Sequence, residues 1–192
     1  MTIWHWVRHG PTGQKSFCGW RDVPADLSDS ARLARLNAAL PAGALLISSD
    51  LIRAVATADA LAATRQRLPQ DPALREFHFG AWEGLPFAEV AGRDPDLARA
   101  YWEQPGDAAP PGGESWNQLA ARVGTRVAAL CAAHPDRHII AVAHFGVILT
   151  QVQAALGITP VQALAQDIGN LSVTELQCDR GLWAARRINH LP

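Results

Sequence analysis

Two histidines in this chain directly follow apolar stretches: His9 comes after residues 3–7 and Arg8, and His144 ends residues 137–143. Arg53 sits just past the polar triplet Ser48-Ser49-Asp50, in what reads as a helix's first turn. Two imidazoles and two guanidiniums converging on one point would suit a dianionic phosphoryl group, because guanidinium forks match its nonbridging oxygens and imidazole can attack phosphorus or donate to an oxygen. Taken singly, a histidine at a strand end is more often a hydrogen-bonded structural residue, and an arginine in a first turn more often faces solvent. The four together are far less expected by chance than any one of them.

The elements that must hold these side chains alternate between strand-like and helix-like patterns, which predicts an α/β fold: a three-layer α/β/α sandwich with a mostly parallel central sheet. Residues 3–7 form the first expected strand, and ligands in such sheets bind beyond the strands' carboxyl ends, where Arg8 and His9 fall. Ser28 is the expected cap of a helix carrying Leu33, Leu36 and Leu40. A strand follows at residues 44–48, and Ser49 or Asp50 is the expected cap of a helix through Arg53, Ala56, Ala60 and Ala63. Residues 114–133 form a long amphipathic helix, residues 137–143 the most apolar strand, and residues 147–156 a further helix. Strands near 171–176 and 183–188 complete the single domain, 1–192. Between them, residues 69–113 are rich in Gly, Pro and aromatics, and are expected to form a lid-like insertion over the strand C-terminal ends.

Composition narrows the partners. Seventeen Lys plus Arg against eighteen Asp plus Glu gives a formal charge of -1, so no global field draws the protein to nucleic acid or to a membrane. Any basic site must be local, and with Lys15 the single lysine it would be built from arginine. Three widely spaced cysteines, Cys18, Cys131 and Cys178, support neither a disulfide framework nor a cysteine zinc cluster, and they fit a cytoplasmic location. No leader-like or membrane-spanning stretch is apparent. His134 and His138 have helical ligand spacing but enclose Pro135, which disfavours a metal hydrolase.

Four ordered segments carry a more specific signal. They are Arg8-His9-Gly10 with Thr12; Ser48-Ser49-Asp50-Leu51-Ile52-Arg53-Ala54 with Thr57 and Ala58; Leu74-Arg75-Glu76-Phe77 followed by Phe79-Gly80 and Trp82-Glu83-Gly84; and Ala143-His144-Phe145-Gly146. Over most of its length the chain thus resembles the histidine phosphatase superfamily, the phosphoglycerate mutase-like family, and within it the phosphatase branch of α-ribazole and broad-specificity phosphatases. The resemblance implies a phosphomonoesterase without metal or cofactor: His9 as nucleophile forming a phosphohistidine, Arg8, Arg53 and His144 sharing the phosphoryl charge, and Glu76 as proton donor. Glu83 is the rival donor, to which the resemblance gives a structural role.

Substrate contacts are expected from Arg8, Thr12, Gly19, Arg53 and His144. The segment Gly19-Trp20 with Asp22 and Pro24 is similar to the family's substrate loop, but the stretch from His9 to Gly19 is shorter and the family's polar Asn has no clear counterpart, with Lys15 or Gln14 as the candidate substitutes. Gly112-Gly113-Glu114-Ser115 reads equally as a rim motif and as a loop before a helix cap. Trp20, Trp102 and Trp116 are candidates for an aromatic pocket, which would suit an aromatic or nucleoside-like leaving group. The expected partner is a small phosphorylated metabolite, with α-ribazole phosphate a candidate, and a homodimer is left open. Mutase-type phosphoryl transfer and a catalytically silent binding module are the alternatives.

Overall fold

In the computed structural model, which describes residues 1–192, the first apolar segment forms β1 (Thr2–Arg8) in the interior of a six-stranded sheet. The other strands are β2 (Leu45–Ser48), β3 (Gln66–Arg67), β4 (His138–Ala143), β5 (Val173–Asp179) and β6 (Leu182–His190), in the order β3-β2-β4-β1-β5-β6. The first four in that order run parallel, whereas β5 is antiparallel to β1 and β6 to β5. Arg8 pairs with Ala143, so the chain leaves β1 and β4 side by side, and the His9 amide donates to the Ala143 carbonyl at 3.0 Å.

Because strand side chains alternate, each face of the sheet buries its own set. Trp4 and Trp6 stack at 5.1 Å on the face that also carries Ile47, Ile139 and Ala141. They pack against α5 (Trp116–Ala133), through Leu119, Val123 and Val127, and against α6 (Phe145–Leu156), through Ile148 and Val152. The opposite face presents Val7, Leu46, Ile140 and Val142 to α1 (Ser30–Ala39) and α2 (Ile52–Ala60). This is the expected α/β/α sandwich, and both tryptophans of β1 are core residues. No helix is long and apolar enough to cross a membrane.

Local readings changed at the helix starts. Asp29, not Ser28, caps α1 by accepting from the Arg32 amide. Neither Ser49 nor Asp50 caps α2: the Ile52 amide donates to Asp22 from a distant loop at 2.7 Å, while Asp50 pairs with Arg75. The helix also ends at Ala60, short of Ala63, whose φ of 42° turns the chain out of it. Within residues 69–113, two short 3-10 turns (Pro72–Leu74 and Gly80–Trp82) precede α3 (Phe87–Arg93) and α4 (Pro95–Glu103). Both helices escaped the sequence reading, because Gly92, Pro95 and Pro105 look like turn signals; Pro95 instead starts α4 in the first turn, where its missing N–H costs nothing. A final short helix, α7 (Pro160–Leu164), precedes β5.

Arg65 ties the ends of two helices together. It is buried, and its guanidinium donates to the carbonyls of Asn37, Leu40 and Pro41 at the end of α1 and of Leu61 just past α2. Carbonyls at helix ends lack intrahelical partners, and one planar fork here serves four. Replacing Arg65 by Ala should therefore lower the unfolding free energy by about 3 kcal/mol. Arg65→Lys should recover less than half of that, because one ammonium cannot span both helix ends; urea denaturation of the two variants is the check.

Candidate active site

The paired exits of β1 and β4 bring His9 and His144 together, with ring centroids 5.1 Å apart and planes tilted by 58°. The Nδ1 of His9 lies 2.7 Å from the carbonyl oxygen of its neighbour Gly10. A carbonyl only accepts, so Nδ1 carries the proton and Nε2 keeps its lone pair. Gly10 is closely packed: a Cβ there would press on Leu27 Cδ2 at 2.5 Å and on the Asp26 carbonyl at 3.2 Å. Its amide donates to Thr57 Oγ1, which donates in turn to the Arg53 carbonyl, so the histidine loop is tied to α2.

Arg8 and Arg53 are both buried or nearly so, and neither forms an ion pair with any carboxylate. The Arg8 Nη1 donates to the Ile168 carbonyl at 2.5 Å, its Nε has no protein partner, and its guanidinium lies over the Phe145 ring at 5.3 Å. Arg53 donates to the carbonyls of Gly19 and Arg21, at 2.6 and 2.8 Å. Both guanidiniums face one cavity of about 260 Å3, whose wall also includes His9, Glu76 and Thr12.

This environment keeps the histidines neutral. Burial, followed by the Arg53 charge, pushes the His9 pKa down to about 3. Burial also holds His144 well below its ordinary value, with Arg53, His9 and Arg8 adding repulsion. Removal from water, rather than the arginine charge, is the larger cause for both. His144 is fully buried with no protein partner on either ring nitrogen, and it stands at the start of α6, where the positive end of the helix dipole also opposes an imidazolium.

The two candidate glutamates are held in opposite ways. Glu76 is buried in the cavity wall with Oε1 accepting from the amides of Gly146 and Phe77, at 3.0 and 3.1 Å. Those bonds favour its carboxylate, yet burial outweighs them and raises its pKa. Gly146 is required for this approach, since a Cβ there would fall 2.3 Å from the Phe77 ring. Glu83 instead uses its carboxylate on the amides of Gly19 and Trp20, at 3.1 and 2.6 Å, and does not reach the cavity wall.

Gly19 and Trp20 likewise lie behind the site. The Gly19 carbonyl orients Arg53, and a Cβ on Gly19 would overlap the Phe77 carbonyl at 2.0 Å. Trp20 donates from Nε1 to the Glu76 carbonyl and stacks under Arg75 at 4.7 Å. Trp116 is core, donating to Gln153, so of the three tryptophans only Trp102 reaches the cavity. Gln14 lines it and Lys15 does not. The Gly112–Ser115 segment serves as the helix cap: Ser115 forms a capping box with Gln118, and Glu114 pairs with Arg122 at 2.7 Å.

Arg122 was missed by sequence reasoning. From α5 it donates to the carbonyls of Ala73, Arg75 and Glu76, which fixes the Glu76 segment against the helix. The available signal was its place, with Arg126, flanking the apolar stripe Leu119-Val123-Val127; the partners carry no local signature. A larger cavity, about 630 Å3, lies between α5, α6 and the β5–β6 turn, but no charged side chain lines it. No three histidine, cysteine or acidic side chains converge as a metal-binding group.

Residues 5–191 match the sequence profile described as the histidine phosphatase superfamily (branch 1). A bifunctional protein of Mycobacterium tuberculosis is 35% identical over 174 residues, covering 89% of this chain but 45% of that protein, so the chain spans less than half of these first relatives. Glucosyl-3-phosphoglycerate phosphatase of the same organism is 36% identical over 195 residues, covering 93% of this chain and 85% of that one. Among solved structures, YhfR of Bacillus stearothermophilus superposes with a TM-score of 0.91 at 26% identity, over 100% of this chain and 98% of that chain.

Three buried histidines, His5, His9 and His144, predict an acid-sensitive fold. Below an ordinary histidine value of about 6.5 the unfolded chain takes up protons that native His9 refuses until about pH 3, and native His5, also desolvated, until about pH 4. Stability is therefore present above pH 6.5 and lost as the pH falls, by roughly 2 kcal/mol per histidine by pH 5. Urea midpoints at pH 7 and 5 should separate for the wild-type protein, and the separation should shrink in His5→Asn and His9→Asn.

Proposed function

The chain belongs to the histidine phosphatase superfamily, and from that premise we propose that it is a metal-independent phosphomonoesterase that hydrolyses a small phosphorylated metabolite through a phosphohistidine on His9. The observation that carries this reading is the pair of enclosed guanidiniums, Arg8 and Arg53, without carboxylate partners, beside a neutral histidine whose Nδ1 proton is committed to Gly10.

A phosphate dianion supplies the missing countercharge, and its oxygens take the remaining donors of both arginines. Nε2 of His9 attacks phosphorus in line, forming the P–N bond as the P–O bond to the alcohol breaks. Glu76, whose pKa burial raises, gives its proton to the departing alkoxide. Its carboxylate then takes a proton from the water that attacks the phosphohistidine, which releases inorganic phosphate and restores His9. His144 donates to a nonbridging oxygen, satisfying a ring nitrogen that has no protein partner. Thr12 supplies a further hydroxyl at the wall, and residues 69–113 act as a lid-like cover. The unpaired cysteines fit a reducing cytoplasm. α-Ribazole phosphate is a first candidate in a metabolite screen.

Hydrolysis of para-nitrophenyl phosphate between pH 5 and 8 tests the reading. Turnover should survive EDTA and fall on the order of a thousandfold in His9→Ala, and an alkaline quench should trap a phosphohistidine in the wild type alone. Chelator-sensitive activity that survives loss of His9 would overturn the mechanism. Glu76→Gln should cost about a hundredfold or more on an alkyl phosphate and much less on para-nitrophenyl phosphate, whose leaving group departs without a proton. Since Glu76 acts first as an acid, wild-type turnover of the alkyl ester should decline as the pH rises through its elevated pKa.

A further inference from the structure

Phe87 and Trp102 are unusually open for large aromatics, 56% and 38% exposed, yet both belong to the wall of the cavity whose floor holds Arg8, His9 and Arg53. They flank Phe17. Its ring stacks with Trp102, centroids 6.0 Å apart at 25°, and meets Phe87 edge-on at 4.6 Å and 66°. The same wall includes Thr12, Gln14 and Ser16, all uncharged.

Every formal charge in this wall belongs to Arg8, Arg53 or Glu76, and the phosphoryl group and the proton transfer engage all three. Lys15 lies between two lining residues but is itself exposed and outside the wall. An alcohol bearing a carboxylate would therefore be desolvated with no cation of its own, and would compete with phosphate for the arginines. A flat ring would instead cover the open faces of Phe87 and Trp102, removing apolar surface from water and adding aromatic contact. At about 260 Å3 the cavity is small for a ligand pocket, which favours one ring over an extended polar chain.

Resting on the phosphomonoesterase reading, we propose that the alcohol this site releases is uncharged and carries a flat apolar ring seated on Phe87 and Trp102, and that these two residues set the specificity. Both arise from the helical part of the insertion, Phe87 in the first turn of α3 and Trp102 near the end of α4. Specificity thus resides in an element separate from the strand ends that carry the charges.

Three primary alkyl esters with comparable leaving groups test this: benzyl phosphate, cyclohexylmethyl phosphate and phosphoglycolate. In the wild type, kcat/KM for benzyl phosphate should exceed that for phosphoglycolate by about tenfold or more, with cyclohexylmethyl phosphate between them. Phe87→Ala and Trp102→Ala, both at open positions, should each reduce the benzyl-to-glycolate ratio several-fold, through KM more than kcat. A wild-type ratio near one, a preference for phosphoglycolate, or a ratio unmoved by either substitution would overturn the inference and leave the phosphatase reading standing. No turnover of any of the three would take both down together.

Discussion

Two enclosed guanidiniums with no carboxylate partner set the terms for this end of the molecule. Burying a cation without a counterion is costly unless its donors are engaged, and the chain engages some of them with backbone carbonyls: Ile168 for Arg8, Gly19 and Arg21 for Arg53. Carbonyls carry only partial charge, so the positive field persists in the cavity. Together with burial, the dominant cause, that field keeps His9 and His144 neutral. Glu76 departs from its ordinary value for the same dominant reason, desolvation, which acts against the amide bonds and the arginines that would ionise it. Burial thus prepares a base and an acid in one pocket, because it penalises whichever form is charged.

Holding that arrangement falls to groups outside the cavity. The loop after β1 is gripped from two sides, by Glu83 on the amides of Gly19 and Trp20 and by Arg53 on the carbonyls of Gly19 and Arg21. Asp22 in the same loop caps α2, the helix that carries Arg53. The Glu76 segment is fastened by Arg122 from α5 and, one residue earlier, by the two-pronged Arg75–Asp50 pair at 2.6 and 2.7 Å. Each of these contacts joins parts of the chain distant in sequence and ends on a charged side chain, which makes the bonds shorter and stronger than neutral ones. The loop backbone is thereby fixed around His9, Arg53 and Glu76.

The sheet supplies the remaining constraint. With β4 between β2 and β1, three parallel strands end at one edge and deliver His9, His144 and the approach to α2 within a few residues of one another. The antiparallel pair β5–β6 extends the sheet beyond β1, and the segment leading into β5 supplies the Ile168 carbonyl that holds Arg8. Against this charged edge the insertion brings an aromatic surface, so the cavity has a polar floor and an apolar mouth contributed by different stretches of chain.

The amino-acid sequence by itself determined what depends on neighbours a few residues away. Runs such as 137–143 and the 3–4 spacing of Leu119, Val123 and Val127 report which faces are buried, and they placed the main strands, the long helix and the ends where His9, Arg8, Arg53 and His144 fall, while Glu76 was singled out by the resemblance to the family. Tertiary structure decided whatever depends on partners far along the chain: that Asp22 rather than Ser49 or Asp50 caps α2, that Glu83 grips a loop while Glu76 faces the cavity, and that Trp102 and Phe87 line it while Trp20 and Trp116 do not. Glu76 and Glu83 are seven residues apart among similar aromatics, and no periodicity tells them apart, although the resemblance to the family does. What separates them is the Gly146 amide, 70 residues downstream, which the parallel pairing of β1 with β4 and the packing of α6 bring to Glu76. Periodicity encodes burial, but the identity of a distant partner is fixed only when the strands are ordered.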